Sequence, residues 1–253
     1  MIRSFLFALA YYTLSLAYLL MAVLSVVFPG RFITRWIVRR YSQRMLTAMR
    51  WFAGIRVEHR GLENLPKGPF ILAPKHQSWG DGFASFAVVK DLVFVTGNHL
   101  EKIPLLKGLL RKIGAIVVDF CGGGQSKEDL MRGAQLAFSE GKRILIYPEG
   151  HLSKPGENHR YRLGIWALYQ AHNVPVVPAG TNLGCFWEQQ NFRKVPGNAV
   201  VHYLPTIPPG LEKAEFMKRL EDAIESSTRV LFQEAKGFDP GPSTQVQFKG
   251  EKA

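Results

Sequence analysis

From Phe5 to Phe28 the chain carries no charged side chain, an apolar run of 24 residues, or roughly 36 Å as a helix. It exceeds the apolar region of a secretory signal, and no small-x-small cleavage site follows. Thr13, Ser15, Ser25 and three tyrosines make it less apolar than a lipid-exposed span usually is. A membrane anchor, spanning the bilayer or dipping in and out, is expected rather than a buried core helix. Eight arginines then lie between Arg31 and Arg60 against the single acid Glu58. Ile33, Trp36, Ile37, Tyr41, Met45, Ala48, Met49 and Phe52 recur there at helical spacing, with Arg35, Arg39, Arg40 and Arg44 mostly elsewhere on the wheel. A basic amphipathic helix of this kind suits a surface of anionic phospholipid, and the positive-inside bias places the rest of the chain on the cytoplasmic side.

From Ile55 the pattern changes to short β-rich runs alternating with helical stretches. Strands are expected at Ile55–His59, Phe70–Ala73, Val93–Thr96, Ala115–Asp119, Arg143–Tyr147, Pro175–Pro178 and Ala199–Leu204. Helices are expected at Gly82–Val89, Pro104–Ile113, Lys127–Glu140, Leu163–Ala171 and Lys213–Phe232. Such alternation predicts an α/β fold, a layered and largely parallel sheet flanked by helices, behind an N-terminal membrane-anchoring helical segment. Three parts are expected: residues 1–54 as anchor and amphipathic helix, 55–236 as the body, and 237–253 as a loose Gly/Pro-rich tail.

The 253 residues are 47% hydrophobic and 21% charged, which excludes a disordered chain. A mean hydropathy of −0.02 is too low for a polytopic transporter. The net charge of +12 asks for an anionic partner. Nucleic acid is set aside, because the arginines concentrate beside the apolar run and no aromatic-basic sheet motif or helix-turn-helix signal occurs. Cys121 and Cys185 are far apart, which excludes a disulfide scaffold or a cysteine zinc site. His151 and His159 match no recognised metal spacing, so no metal is expected.

Ligand sites in parallel sheets gather beyond the carboxyl ends of strands. Two polar clusters stand there: Lys75-His76-Gln77-Ser78-Trp79-Gly80-Asp81, and Pro148-Glu149-Gly150-His151. A His five residues before an Asp across a strand-to-helix turn can fold back so that the carboxylate accepts the imidazole N–H, leaving the other nitrogen as a general base. With no protein nucleophile supplied, a substrate hydroxyl would be the nucleophile. The spacing alone also fits an Asp81 that caps a helix from Gly82 beside an ordinary loop histidine. Gln77, Ser78 and the backbone amides of the turn are candidate donors to a tetrahedral oxyanion.

His76-Gln77-Ser78-Trp79-Gly80-Asp81, Tyr147-Pro148-Glu149-Gly150, Tyr161-Arg162-Leu163-Gly164 and Val174-Pro175-Val176-Val177-Pro178-Ala179-Gly180 follow one another in that order. Over roughly residues 55–211 this resembles the glycerolipid acyltransferase family, specifically the bacterial 1-acyl-sn-glycerol-3-phosphate acyltransferases. The resemblance implies an acyltransferase domain at the inner membrane. His76, held by Asp81, would deprotonate a lysophospholipid hydroxyl that attacks an acyl thioester, of CoA or acyl-carrier protein. It implies that Glu149 and Gly150 arrange the acceptor loop and that Arg162 supplies positive charge. No bound cofactor is implied, since the thioester is a substrate.

The chain departs from that family's pattern at three places. Lys75 replaces an Asn before the His, and Phe120 and Leu152 stand where phosphate-gripping arginines are usual. Either His151, His159, Arg160, Arg162 and the turn from Gly122 to Ser126 replace those arginines, or the acceptor lacks a phosphomonoester, as a lyso-ornithine lipid does. A non-enzymatic lipid carrier on the same scaffold would also keep anchor and groove, although His76, Asp81 and Glu149 all remain.

Overall fold

The computed structural model describes residues 1–103, 105–119, 124–189 and 191–235. Phe120, Gly122, Gly123 and the tail from Gly237 lie outside the described residues.

Two helices open the chain. α1 (Ile2–Leu24) and α2 (Phe32–Ala48) form an antiparallel hairpin through a short 3₁₀ turn at Ser25–Val27. The polar residues of the apolar run explain their own presence. Ser15 Oγ bonds Tyr41 Oη at 2.7 Å and Ser25 Oγ bonds Thr34 Oγ1 at 2.7 Å, both across the hairpin. Each buried hydroxyl thus finds a partner, and the hairpin register is set at two points. Phe7, Met45 and Met49 seal the pair against Leu183, Phe186 and Trp187 of the body. The hairpin is tied to the body near the start of α1 and just beyond its end: Lys194 N donates to Ser4 Oγ, and Lys112 Nζ donates to the carbonyls of Val26 and Phe28.

The arginines of α2 and its flanks divide into two sets. Arg39 Nε donates to Ala87 O, Arg35 Nε to Ile113 O, and Arg31 and Arg35 both pair with Glu140. Ala87 and Ile113 lie in the last turns of the third and fourth helices, where carbonyls lack intrahelical donors and a cation is favoured. Arg40, Arg44, Arg50 and Arg56 stay exposed.

After a π turn at Met49–Ala53 and Gly54, the strands are β1 (Ile55–Arg60), β2 (Ile71–Pro74), β3 (Leu92–Gly97), β4 (Ile116–Val118), β5 (Arg143–Leu145), β6 (Val176–Thr181) and β7 (Gly197–Tyr203). They form one sheet in the order β1-β7-β6-β2-β5-β3-β4, parallel at every pairing except β6 with β7. The expected layered α/β fold is thus present, with one reversed junction.

The remaining helices are α3 (Gly80–Val88), α4 (Leu106–Ile113), α5 (Gly124–Ser139), α6 (Gly164–His172) and α7 (Lys213–Glu234). Strand β2 shows how the sheet fills both faces. Ile71 and Ala73 join Leu168, Phe216, Leu220 and Ile224 on one side. Leu72 joins Ala84, Val177 and Tyr203 on the other. A strand buried on both faces must be apolar throughout, and this is why β2 and β6 read as continuous rather than alternating runs.

Candidate active site

β2 and β5 are neighbours, with Ile71 opposite Ile144 and Leu72 opposite Leu145. Their following loops therefore leave the sheet side by side, and both sequence clusters meet. Ser153 donates to His76 O from both its backbone N, at 2.8 Å, and its hydroxyl, at 3.0 Å. His76 N in turn donates to Glu149 Oε2 at 3.1 Å.

The His76 ring is fixed on two sides. Its Nδ1 lies 3.2 Å from Asp81 Oδ2, and its face stacks on Tyr147 with centroids 3.6 Å apart and planes 10° apart. A carboxylate can only accept, so Nδ1 carries the proton and Nε2 is left with its lone pair. The side chain keeps 18% exposure while Asp81 keeps 3%. Burial, and then the nearby Asp81 charge, push the Tyr147 phenol well above its ordinary range, so it packs as a neutral ring.

Asp81 does not cap α3, whose first residue is Gly80. Its Oδ2 instead accepts backwards from Gln77 N at 2.7 Å and Ser78 N at 2.8 Å, as well as from the imidazole. One buried oxygen thus closes the turn and orients the imidazole. It follows that the two amides expected to be free for an oxyanion are already engaged. Ser78 Oγ accepts from Gly80 N, and the Gln77 side-chain amide is buried without a partner among the described residues. Gly184 must be glycine for the same turn to fit, since a Cβ there would lie 2.7 Å from Gln77 Cβ and 2.9 Å from Pro155 Cγ.

The second loop supplies the outward charge. Gly150 adopts φ +73°, a left-handed conformation that glycine takes without strain, and the Arg162 side chain crosses it, near enough that a Cβ would sit 3.1 Å from Arg162 Cγ. Arg162 N donates to Pro148 O at 2.7 Å, so this exposed guanidinium is held to the loop by its own backbone. His151 Nδ1 lies 2.9 Å from Glu149 O, and its ring packs edge-on against His159 at 4.4 Å. His159 Nε2 is 3.4 Å from Glu157 Oε2. Arg162, His151 and His159 are thus gathered on one loop system beside His76, while Leu152 is half-buried. Of the proposed substitutes for the missing arginines, the glycine turn at Gly122–Gly123 lies outside the described residues.

Sequence reasoning missed the group beneath. Lys75, read as an incidental replacement of Asn, is fully buried, with Nζ 2.7 Å from Glu149 Oε1 and 2.8 Å from Glu225 Oε1 of α7. Nζ also donates to Glu157 O at 3.0 Å. Two signals could have shown it: a lysine ending an otherwise apolar strand, and an acid inside the apolar stripe Phe216, Leu220, Ile224, Leu231. Among the described residues no cluster of three or more His, Cys, Asp or Glu side chains is arranged to hold a metal.

Known proteins give a consistent picture. A family model described as acyltransferase matches residues 56–182. The chain is 29% identical over 175 residues to the 1-acyl-sn-glycerol-3-phosphate acyltransferase of Pseudomonas aeruginosa, covering 69% of this chain and 68% of that protein. It is 25% identical over 193 residues to the 1-acyl-sn-glycerol-3-phosphate acyltransferase alpha of Bos taurus, covering 75% and 67%. The crystal structure of the 1-acyl-sn-glycerophosphate (LPA) acyltransferase PlsC from Thermotoga maritima superposes with a TM-score of 0.73 over 91% of this chain and 96% of that one, at 20% identity. At that identity it supports the fold alone.

Proposed function

The chain belongs to the acyltransferase family, and from that premise we propose that it transfers a fatty acyl group from acyl-CoA or acyl-carrier protein to the sn-2 hydroxyl of 1-acyl-sn-glycerol-3-phosphate, giving phosphatidic acid. Family membership also favours an enzyme over a lipid carrier. The observation that carries the reading is the imidazole of His76, held through Nδ1 by a buried carboxylate and braced by Tyr147.

In this mechanism His76 Nε2 takes the proton of the acceptor hydroxyl as its oxygen attacks the thioester carbonyl carbon. The imidazolium formed is stabilised by Asp81. The tetrahedral adduct collapses with cleavage of the C–S bond, and the proton passes from Nε2 to the departing thiolate. Arg162, on the loop beside the base, meets the phosphate of the acceptor as a charge-assisted donor, with His151 lining the same loop. No bound cofactor takes part.

The acceptor is a membrane lipid, and the N-terminal hairpin is suited to reach it. Ile2–Val27 is long and apolar enough to cross a membrane, with a mean hydropathy of 1.9. With Ser4 near its start and Val26 and Phe28 just beyond its end tied to the body, α1 lies in the interface with its outward face in the acyl layer and does not thread through the bilayer. We place the chain on the cytoplasmic side of a bacterial inner membrane, where an anionic lipid surface would attract the exposed Arg40, Arg44 and Arg50.

The test is thiol release from acyl-CoA and from acyl-carrier protein, with lysophosphatidate and lyso-ornithine lipid offered in parallel. Turnover with lysophosphatidate, lost in His76→Ala, is expected. Turnover with lyso-ornithine lipid alone would keep the chemistry and overturn the acceptor. Silence with both would overturn the reaction.

A further inference from the structure

The buried ammonium of Lys75 touches three separate pieces of chain. Nζ meets Glu149 Oε1 on the loop after β5, both Glu225 oxygens on α7 at 2.8 and 3.1 Å, and the carbonyl of Glu157. The three donor directions go to Glu225 and Glu157. The 2.7 Å approach to Glu149 is an ion pair that lies off a hydrogen-bonding direction. Glu225 is further held by the Tyr161 hydroxyl at 2.8 Å and by Asn158, in the amide orientation its neighbours require. Burial and the Glu225 charge keep the Tyr161 phenol protonated, as a donor must be.

A buried ion pair is a poor source of stability, because removing the charges from water offsets most of their attraction. One ammonium between two carboxylates at the end of a core strand therefore calls for another explanation. Glu149 offers it. The same carboxylate that meets Lys75 through Oε1 accepts the backbone N–H of His76 through Oε2. Lys75 thus fixes the carboxylate that fixes the residue bearing the base. Glu225 supplies the second negative charge, tying this assembly to a helix far away in sequence.

We propose that Lys75 and Glu225 form a positioning pair for the acyl-transfer step: through Glu149 they hold the His76 backbone at its reacting distance and make α7 part of the active-site frame. The pair acts through other residues and touches no reacting atom. The inference rests on the reading of His76 as the base.

The experiment compares wild type with Lys75→Met, Glu225→Gln and the double variant Lys75→Met/Glu225→Gln. The full chain is in detergent, with kcat and KM read per folded molecule alongside the unfolding temperature. A base displaced by about 1 Å loses roughly 100-fold in rate, so Lys75→Met is expected to lower kcat by roughly that factor with KM for both substrates unchanged. Glu225→Gln is isosteric, leaves one ammonium facing one carboxylate and should fold. It lowers kcat less and in the same pattern. The double variant falls no further than Lys75→Met, because Glu225 acts only through Lys75, where independent effects would multiply. A lowered unfolding temperature in both single variants, with kcat and KM at wild-type values, would make the pair structural only and overturn the proposal. So would a loss confined to KM. If wild type turns over lyso-ornithine lipid and not lysophosphatidate, the acceptor assignment fails and the Lys75 comparison is read on that lipid. If His76→Ala retains turnover while Lys75→Met loses it, the assignment of the base fails and the proposal with it.

Discussion

Around His76 the polar side chains are those withdrawn from water: Lys75 and Glu149 are fully buried, Gln77 and Asp81 nearly so, and Glu225 keeps 6% exposure. Along α1 the distribution is reversed. Phe5, Leu9, Tyr12, Leu16, Leu20 and Leu24 follow at helical spacing, and each is 52–70% exposed. An isolated exposed leucine means little, whereas a continuous stripe over about five turns, or a group of charges in a dry core, is informative. In the first region the cost of desolvation is offset by mutual bonding, and what is gained is geometry: each group holds its neighbour in one orientation. In the second nothing among the described residues covers the apolar area, and a lipid layer would. One region prepares the reaction, the other brings the domain to where its acceptor resides.

The sharpest way to break the dry side of this comparison is at Asp81. Asp81→Ala removes an oxygen shared by three donors, so kcat/KM should fall by roughly 1,000-fold or more. Asp81→Asn keeps an acceptor for the Gln77 and Ser78 amides but loses the charge that stabilises imidazolium, and the loss should be intermediate. Equal effects for the two variants would mean that the charge contributes nothing beyond the turn.

The exposed side is tested by Leu9→Lys/Leu16→Lys. Removing two leucine side chains from lipid costs roughly 4 kcal/mol, so sedimentation with anionic vesicles should fall by more than 100-fold. Because both residues face away from the body, the unfolding temperature in detergent should not change. Retained vesicle binding would place the membrane contact elsewhere.

His59 is a control for a buried titratable group outside the site. Burial lowers its pKa to about 4, with Tyr203 Oη 3.4 Å from Nδ1. The unfolded chain therefore binds the proton first as pH falls. The stability contributed by neutral His59 is complete above the unfolded value of about 6.5 and is lost progressively as pH falls toward 4. The loss is roughly 3 kcal/mol once both states are protonated, and His59→Gln should flatten denaturant midpoints across that window. An unchanged slope would show that other groups set the acid limb.

The smallest effect is expected at the boundary between the regions. Arg162→Ala removes an exposed cation from the acceptor loop and should raise the lysophosphatidate KM about tenfold with kcat little changed. A fall in kcat alone would move Arg162 from binding to chemistry.

Much of this was legible in the chain. All seven strands lie where the β-rich runs place them, because short runs between helices leave few alternatives. The His76–Asp81 and Glu149 clusters were readable as neighbours, since both follow strands of a parallel sheet. Helix starts were less exact: α3 begins at Gly80 rather than Gly82 and α5 at Gly124 rather than Lys127, glycines that propensity alone assigns to the turn. The antiparallel β6–β7 junction and the strand order are long-range pairings that local pattern does not encode. Lys75 and Glu225 lie 150 residues apart, and their pairing exists only once α7 packs on the sheet. The arginines of α2 were read by wheel position, which cannot show that three of them reach helix ends and acids of other elements.

The most direct measurement places wild type and His76→Ala on vesicles of anionic phospholipid containing lysophosphatidate. Acyl-CoA is added and phosphatidate is quantified by mass spectrometry, after both proteins are shown to bind the vesicles equally. Wild type should form phosphatidate, and His76→Ala should form it at least roughly 1,000-fold more slowly. Phosphatidate formed by bound His76→Ala at a rate within tenfold of wild type would contradict the assignment of His76 as the base.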